Sequence, residues 1–218
     1  MSSQMKTHFV RTRKTALDLF CGGGGASMGL HRAGFDVVGV DLFDQPKYPF
    51  KFIKADALDF DITGYDFVWA SPPCQAFTAY KRRKDHVKYS PNLIPKIREK
   101  LIANRKPFVI ENVQGAPLLD AAMLCGSMFS LDVRRHRFFE SNFKIDQIKC
   151  QHNLQLPRFA PASNRKNLRK TVEIGVWRIP LAIQQKAMGI DWLDVRSLSQ
   201  SIPPAYSEYI GRQFLDGQ

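Results

Sequence analysis

The chain predicts an α/β fold built on a parallel, doubly wound sheet, and three observations carry that prediction. Short apolar runs recur along its first two thirds, and stretches of helical character separate several of them. A run of glycines, Gly22 to Gly25, stands where the first apolar run gives way to a helix. Polar residues then fall just past the ends of the apolar runs, at Asp41, Asp56, Cys74 and Glu111. Carboxyl ends of strands are where open α/β sheets place their ligands.

The elements follow in order. Residues 1–14 are polar, basic and unpatterned, and read as a loose arm. Thr15-Ala16-Leu17-Asp18-Leu19-Phe20 is the first strand, followed across the glycines by a helix over 27–33. Val37-Val38-Gly39-Val40 is the second, and Phe52-Ile53 opens a brief third. Phe67-Val68-Trp69-Ala70 is the fourth, short and apolar throughout, as a strand buried on both faces should be. Residues 91–105 read as a helix, and Pro107-Phe108-Val109-Ile110 as the fifth strand, running into Glu111-Asn112-Val113. Residues 137–141 suit a sixth strand. Between 142 and 172 the pattern weakens into a polar, basic, proline-containing stretch that fits a loop or a small subdomain. Helical character returns over 179–188 and, after Pro203-Pro204, over 206–215.

Composition bounds the function. At 218 residues the chain suits one domain with a small appendage, and 44% hydrophobic and 11% aromatic content marks it as globular. No apolar run approaches the ~18 residues of a membrane span. The start, Met1-Ser2-Ser3-Gln4-Met5-Lys6, lacks the apolar core of a signal peptide. Four cysteines without paired spacing point to a reduced, cytoplasmic protein. Cys150 and His152 are close in sequence, but no second ligand pair is nearby, so no metal is expected. The net charge of +12 is concentrated. Residues 81–106 hold ten Lys/Arg against two acids, and residues 134–178 hold eleven against three. Two basic segments on an otherwise mildly acidic chain indicate a polyanion partner, nucleic acid above all.

The glycines fit a dinucleotide, a nucleoside or a tight turn. Asp41, seventeen residues beyond Gly24 at the end of the next strand, favours an adenosine-containing cofactor, since a carboxylate there reaches ribose hydroxyls. Asp56 is placed to receive an adenine amino group. Absence of Gly-Lys-Ser/Thr argues against a triphosphate loop. In Ser71-Pro72-Pro73-Cys74-Gln75 two prolines end the fourth strand and hold a thiol on a stiff turn, a nucleophile's place in an open sheet, while for a cysteine taken alone a small apolar filler is the commoner use. Glu111 beside an apolar strand tip is either a solvated loop carboxylate or an acid whose pKa burial raises. Arg135 and Arg137, alternate residues in an extended stretch, would point the same way and hold a planar base or a phosphate.

Phe20-Cys21-Gly22-Gly23-Gly24, Pro73-Cys74-Gln75, Glu111-Asn112-Val113 and Arg135-His136-Arg137 occur in that order, and together they resemble the motifs of the DNA (cytosine-5)-methyltransferases. Ile202-Pro203-Pro204 resembles the end of that family's last motif. The resemblance implies a Rossmann-like, S-adenosylmethionine-dependent methyltransferase fold acting on double-stranded DNA. Cys74 is similar to the nucleophile that attacks ring carbon 6 of a flipped-out cytosine. Glu111 would hold the base at ring nitrogen 3, Arg137 its carbonyl, with Arg135 supporting the thiol's surroundings. Phe20, Gly22, Gly23, Gly24, Asp41, Leu42, Asp56, Ala57 and Ser201 would bind the cofactor. Gln75 and the basic residues Lys81, Arg82, Arg83, Lys84, Arg165, Lys166, Arg169 and Lys170 would contact nucleic acid.

This divides the chain into an arm (1–14), a catalytic and cofactor-binding core (15–141), a reduced target-recognition segment (142–176) and a C-terminal part completing the domain (177–218). The sequence departs from the family pattern at Val133, where glutamine is usual, and at Ser199-Gln200, where glycine-asparagine is usual. About thirty-five residues for recognition imply a short target or a protein partner that helps to find it. A branch of the family with the same motifs acts on RNA, and a nucleic-acid-binding protein without activity would also carry the charge. Amino-methyltransferases of adenine or cytosine share a serine-proline-proline start but place an aromatic residue where this chain has Cys74.

Overall fold

The computed structural model describes residues 13–77, 91–156 and 169–217. Its framework is a seven-stranded sheet in the order β3-β2-β1-β4-β5-β7-β6. β1 (Thr15–Leu19), β2 (Asp36–Asp41), β3 (Lys51–Lys54), β4 (Phe67–Ala70) and β5 (Phe108–Asn112) run parallel. β6 (Ala122–Leu124) and β7 (Arg137–Ser141) are antiparallel additions at the β5 edge. The expectation of a wholly parallel sheet is corrected here. Antiparallel strands need no crossover helix between them, and three-residue β6 is too short to show a period in sequence.

Alternation of side chains across the sheet explains why both faces are covered. In β4, Phe67 and Trp69 enter one core cluster with Leu30, Phe35, Tyr206, Ile210 and Phe214. Val68 and Ala70 enter the other with Leu17, Leu19, Ile97, Leu101 and Ile110. The first cluster is closed by α1 (Gly25–Ala33) and α5 (Pro204–Asp216), the second by α2 (Ile94–Asn104). α1 and α5 approach closely because Gly29 lacks a side chain: a Cβ there would stand 2.0 Å from the Pro204 carbonyl oxygen. Ser207 Oγ donates across the same seam to the Ala26 carbonyl at 2.8 Å.

α2 is fastened to β7 by a buried ion pair. Arg98 donates from Nε and Nη2 to the two Glu140 oxygens at 2.6 and 2.7 Å, and Glu140 also accepts the Leu119 amide. α3 (Leu181–Met188) and α4 (Val195–Gln200) frame a small third cluster of Val133, Met188, Ile190, Leu193 and Leu198. The six-residue α4 went unread in the sequence. In the weakly patterned stretch, β8 (Gln155–Leu156) pairs in parallel with β9 (Arg169–Lys170). Among the described residues, no helix is long and apolar enough to cross a membrane.

Candidate active site

The strand order reverses between β1 and β4, and this switch point organises the site. On one side stand the tips of β1, β2 and β3; on the other, those of β4 and β5. Phe20 takes a left-handed φ of 58° directly after β1, turning the chain sharply into the glycines. Gly22 also has a positive φ of 47°, and where its Cβ would stand there is nothing within 4 Å. Its amide donates to Asp41 Oδ2 at 3.0 Å, while Asp41 Oδ1 accepts the Phe43 amide at 3.0 Å. That pair of bonds ties the β2 tip to the glycine loop.

Each residue expected at the cofactor has a definite place. Leu42 is exposed, with Phe43 beside it, so two apolar side chains stand open just after Asp41. Asp56 accepts the Leu58 amide at 2.8 Å within its own loop. Ala57 is buried, its methyl in one core cluster with Leu19, Val40 and Ile62. Gly23 is similarly taken by the protein, because a Cβ there would meet the Leu193 side chain at 2.6 Å and its carbonyl accepts from Trp192 Nε1 at 2.8 Å. Ser201, capping α4, comes up against the start of α1, its Cβ 3.2 Å from where a Gly25 Cβ would stand.

A buried network under the glycine loop was not expected. Asp18, at the middle of β1, accepts from Ser27 Oγ, which lies 2.7 Å from Tyr48 Oη. Asp18 Oδ1 is buried with no hydrogen-bond partner. Burial is the main cause that pushes the Asp18 carboxyl up to about 7, helped by repulsion from Asp41. An aspartate inside an apolar strand was the available signal.

Across the switch point, register does the positioning. Ala70 pairs with Ile110, so the chain beyond β4 and the end of β5 leave the sheet side by side. Asn112 Nδ2 donates to the Pro72 carbonyl at 2.9 Å, pinning the proline turn to β5. Phe77 N–H donates to the Cys74 carbonyl at 2.9 Å, so Cys74 opens a tight turn in which Gln75 is exposed. Cys74 is a half-buried free thiol. Burial raises its pKa and the charge of Glu111 raises it further, while Arg137 and Arg135 pull it down. Glu111 is buried, with its pKa raised by burial against the opposing pull of the same two arginines. Thiol, carboxyl and guanidinium groups therefore share one electrostatic neighbourhood.

The arginines reach it by different routes. Arg137 Nε stands 3.1 Å from Glu111 Oε1, and its Nη1 donates to the His136 carbonyl at 2.9 Å. Arg135 has a left-handed φ of 38°, so the expectation of an extended stretch with both side chains pointing alike is corrected. It donates instead to the Ser199 carbonyl at 2.6 Å, and burial beside Arg137 lowers its pKa to about 9, leaving it charged at neutral pH. Tyr206 Oη donates to the Arg135 carbonyl at 2.9 Å, holding the turn from α5. Val133 and Ser199, where the chain departs from the family pattern, are thus a core residue of the small cluster and the acceptor for Arg135.

Lys81, Arg82, Arg83, Lys84, Arg165 and Lys166 lie outside the described residues. Arg169 and Lys170 form β9, and their side chains lie outside the description too. The expectation that Cys150 and His152 lack a second ligand pair is corrected: Cys125 and His136 come from the β6–β7 hairpin to join them.

The family profile for C-5 cytosine-specific DNA methylases matches residues 14–122. The type II methyltransferase M.XorII of Xanthomonas oryzae pv. oryzae is 31% identical over 125 residues, 48% of this chain. The chain spans 29% of that relative's length. Among solved structures, a prophage-encoded DNA modification methyltransferase of E. coli is similar with a TM-score of 0.62 at 16% identity, covering 93% of this chain and 99% of that one. S. pombe Dnmt2 methyltransferase gives 0.61 at 15% identity, over 94% and 99% of the two chains. At such identities the structures speak for the fold alone, a Rossmann-like α/β one. With its motifs gathered about one switch point and half its length matched by the profile, this chain belongs to the C-5 cytosine-specific DNA methylase family.

Proposed function

We propose that this protein transfers methyl groups from S-adenosylmethionine to carbon 5 of cytosine in double-stranded DNA, through a covalent adduct on Cys74. The observation that supports this most is the convergence of Cys74, Glu111, Arg135 and Arg137 at the tips of β4 and β5, across the switch point from the glycine loop. The other side fits the cofactor: Gly22 opens onto free space, Leu42 and Phe43 are exposed, and Asp18 keeps an unpartnered buried oxygen. Phe20, Gly22, Gly24, Asp41, Leu42, Asp56 and Ser201 would hold S-adenosylmethionine, with Gly23 and Ala57 shaping the loops behind. Bound there, the cofactor supplies an electrophilic methyl on a sulfonium sulfur and leaves as S-adenosylhomocysteine.

The target base must leave the duplex to reach Cys74. Cys74 loses its proton and its sulfur bonds to ring carbon 6, opening the carbon 5–carbon 6 double bond and making carbon 5 electron-rich. Glu111, whose burial favours the protonated form, donates to ring nitrogen 3 and offsets the negative charge that attack creates. Arg137 holds Glu111 and the base carbonyl; Arg135 holds the turn that carries it. After the methyl is gained, the carbon 5 proton passes to water, nitrogen 3 returns its proton to Glu111, and the Cys74 sulfur leaves as thiolate to restore the carbon 5–carbon 6 double bond.

The test is transfer of labelled methyl to duplex DNA, with bisulfite sequencing to report the position. Cys74→Ser is expected to abolish transfer while leaving binding of the cofactor intact. Full activity in Cys74→Ser would remove the nucleophile from the proposal. The short 142–176 segment suits structured RNA as well, so transfer RNA is assayed alongside; methylation of RNA alone would replace the DNA substrate. Calorimetry showing no heat of binding with S-adenosylmethionine would favour a binding protein without activity. If recognition needs a protein partner, the purified chain will show low transfer that a cell extract raises.

A further inference from the structure

We propose that Cys125, His136, Cys150 and His152 form a Cys2His2 site for one structural zinc ion. The four candidate ligand atoms all lie within 4.8 Å of one another. Cys125 Sγ is 3.2 Å from His152 Nε2, and Cys150 Sγ is 3.5 Å from His136 Nε2. Bonds of about 2.3 Å to sulfur and about 2.0 Å to nitrogen, in a tetrahedron, give sulfur–nitrogen edges near ~3.5 Å. Small adjustments would therefore close the cluster around one ion. Two thiols and two imidazoles in a tetrahedral set are zinc's ligand chemistry, and four protein ligands leave no open position for catalysis.

The fold builds half of the site without the metal. β6 and β7 are antiparallel, and their ladder ends with Leu124 opposite Arg137. The next residues outward, Cys125 and His136, consequently face each other across the hairpin. The chain beyond β7 then returns with Cys150 and His152, whose ring centroid lies 5.1 Å from that of His136. An outer hydrogen bond is in place: Ser127 Oγ donates to Cys125 Sγ at 3.2 Å and accepts the Gln151 amide at 3.1 Å. On binding, two thiol protons pass to solvent and the resulting thiolates cancel the dication's charge. The nearby Arg134 then faces a neutral centre.

The position gives the ion a task. His136 stands between Arg135 and Arg137, while Cys150 and His152 lie in the weakly patterned stretch that follows β7. One zinc would fasten that stretch to the chain around Arg135 and Arg137 at the head of β7.

Protein purified under reducing conditions is expected to carry about one zinc per chain, read by elemental analysis and by release to a chromogenic chelator on unfolding. Metal-free protein titrated with cobalt(II) should develop the visible bands of a tetrahedral site together with sulfur-to-cobalt charge transfer. Cys150→Ala and His152→Ala should each lose most of the zinc, and chelation should lower the Tm of the wild type by more than about 5 °C. Reduced wild-type protein that neither retains zinc nor gives the cobalt spectrum overturns the site. So does a full zinc complement in the folded Cys150→Ala/His152→Ala double variant. None of these readouts depends on methyl transfer.

Discussion

Cys74 is held in a setting that opposes its own ionisation, since burial and Glu111 both favour the thiol while Arg137 and Arg135 favour the thiolate. Iodoacetamide labelling of Cys74, followed by peptide mapping, should therefore rise with pH and reach its midpoint above that of an ordinary cysteine. Glu111→Gln removes the repelling carboxylate and should shift the midpoint down; an unchanged midpoint would separate the two groups. Asp18 raises a parallel question of stability. Its carboxyl titrates near 7 in the folded chain instead of 3.8, so the folded state binds this proton more tightly than the unfolded one. The contribution is fully present below pH 3.8 and is lost as pH rises through 7. The loss is on the order of 4 kcal/mol. Asp18→Asn should remove it, so urea unfolding of the cofactor-free variant gains on wild type between pH 4 and 8. A gap that stays constant over that range would show that Asp18 does not titrate there.

At the level of elements, the α1–α5 seam has the least tolerance. A methyl on Gly29 would meet the Pro204 carbonyl at 2.0 Å and Ser207 Oγ at 2.1 Å, and the backbone on the far side cannot rotate away. Overpacking of about 1–3 kcal/mol, less the ~1 kcal/mol of helix propensity gained, leaves up to about 2 kcal/mol, so Gly29→Ala should lower the Tm by up to roughly 8 °C. A higher Tm would mean that the two helices can slide apart. The same helix holds Tyr206 against the Arg135 carbonyl, so a loosened α5 should also cost activity. β4 and β5 are joined beyond their ladder by Asn112, which ties the proline turn before Cys74 to the strand that carries Glu111. That tie makes Asn112 a positioning residue; the motif Glu111-Asn112-Val113 contains it, but the partner at Pro72 was not legible in the sequence.

For the whole molecule, charge and fold divide the work of binding and chemistry. The two basic segments each carry a net of +8, ten Lys/Arg against two acids and eleven against three, while Cys74 and Glu111 stand at strand ends of the sheet. DNA affinity should fall steeply with salt, as expected when lysines and arginines displace counterions from phosphates. Replacing Lys81, Arg82, Arg83 and Lys84 together by alanine should reduce the slope of log K against log salt by about 3. It should leave cofactor binding unchanged. An unaltered slope would place the phosphate contacts elsewhere, with the second basic segment the next to examine.

The parallel strands were legible because β1, β2 and β4 are short apolar runs with chemistry at their tips, and burial on both faces demands that composition. Cys74, Glu111 and the glycine run were legible for the same reason: turns and strand ends restrict which residues can stand there. Arg135 was misread, because alternate spacing implies a shared direction only in extended backbone, and a left-handed residue breaks it. The burial of the Ala57 methyl in the core had no signal in the sequence. Asp18, Asn112 and Tyr206 act through partners 9, 40 and 71 residues away, separations that no local period encodes. The cluster of Cys125, His136, Cys150 and His152 is the clearest case. Local chain chemistry determined strands, turns and the family motifs, since each rests on neighbours in sequence. Only the folded chain decided which distant side chains meet, because a hairpin register and a returning loop have no signature until the sheet has formed.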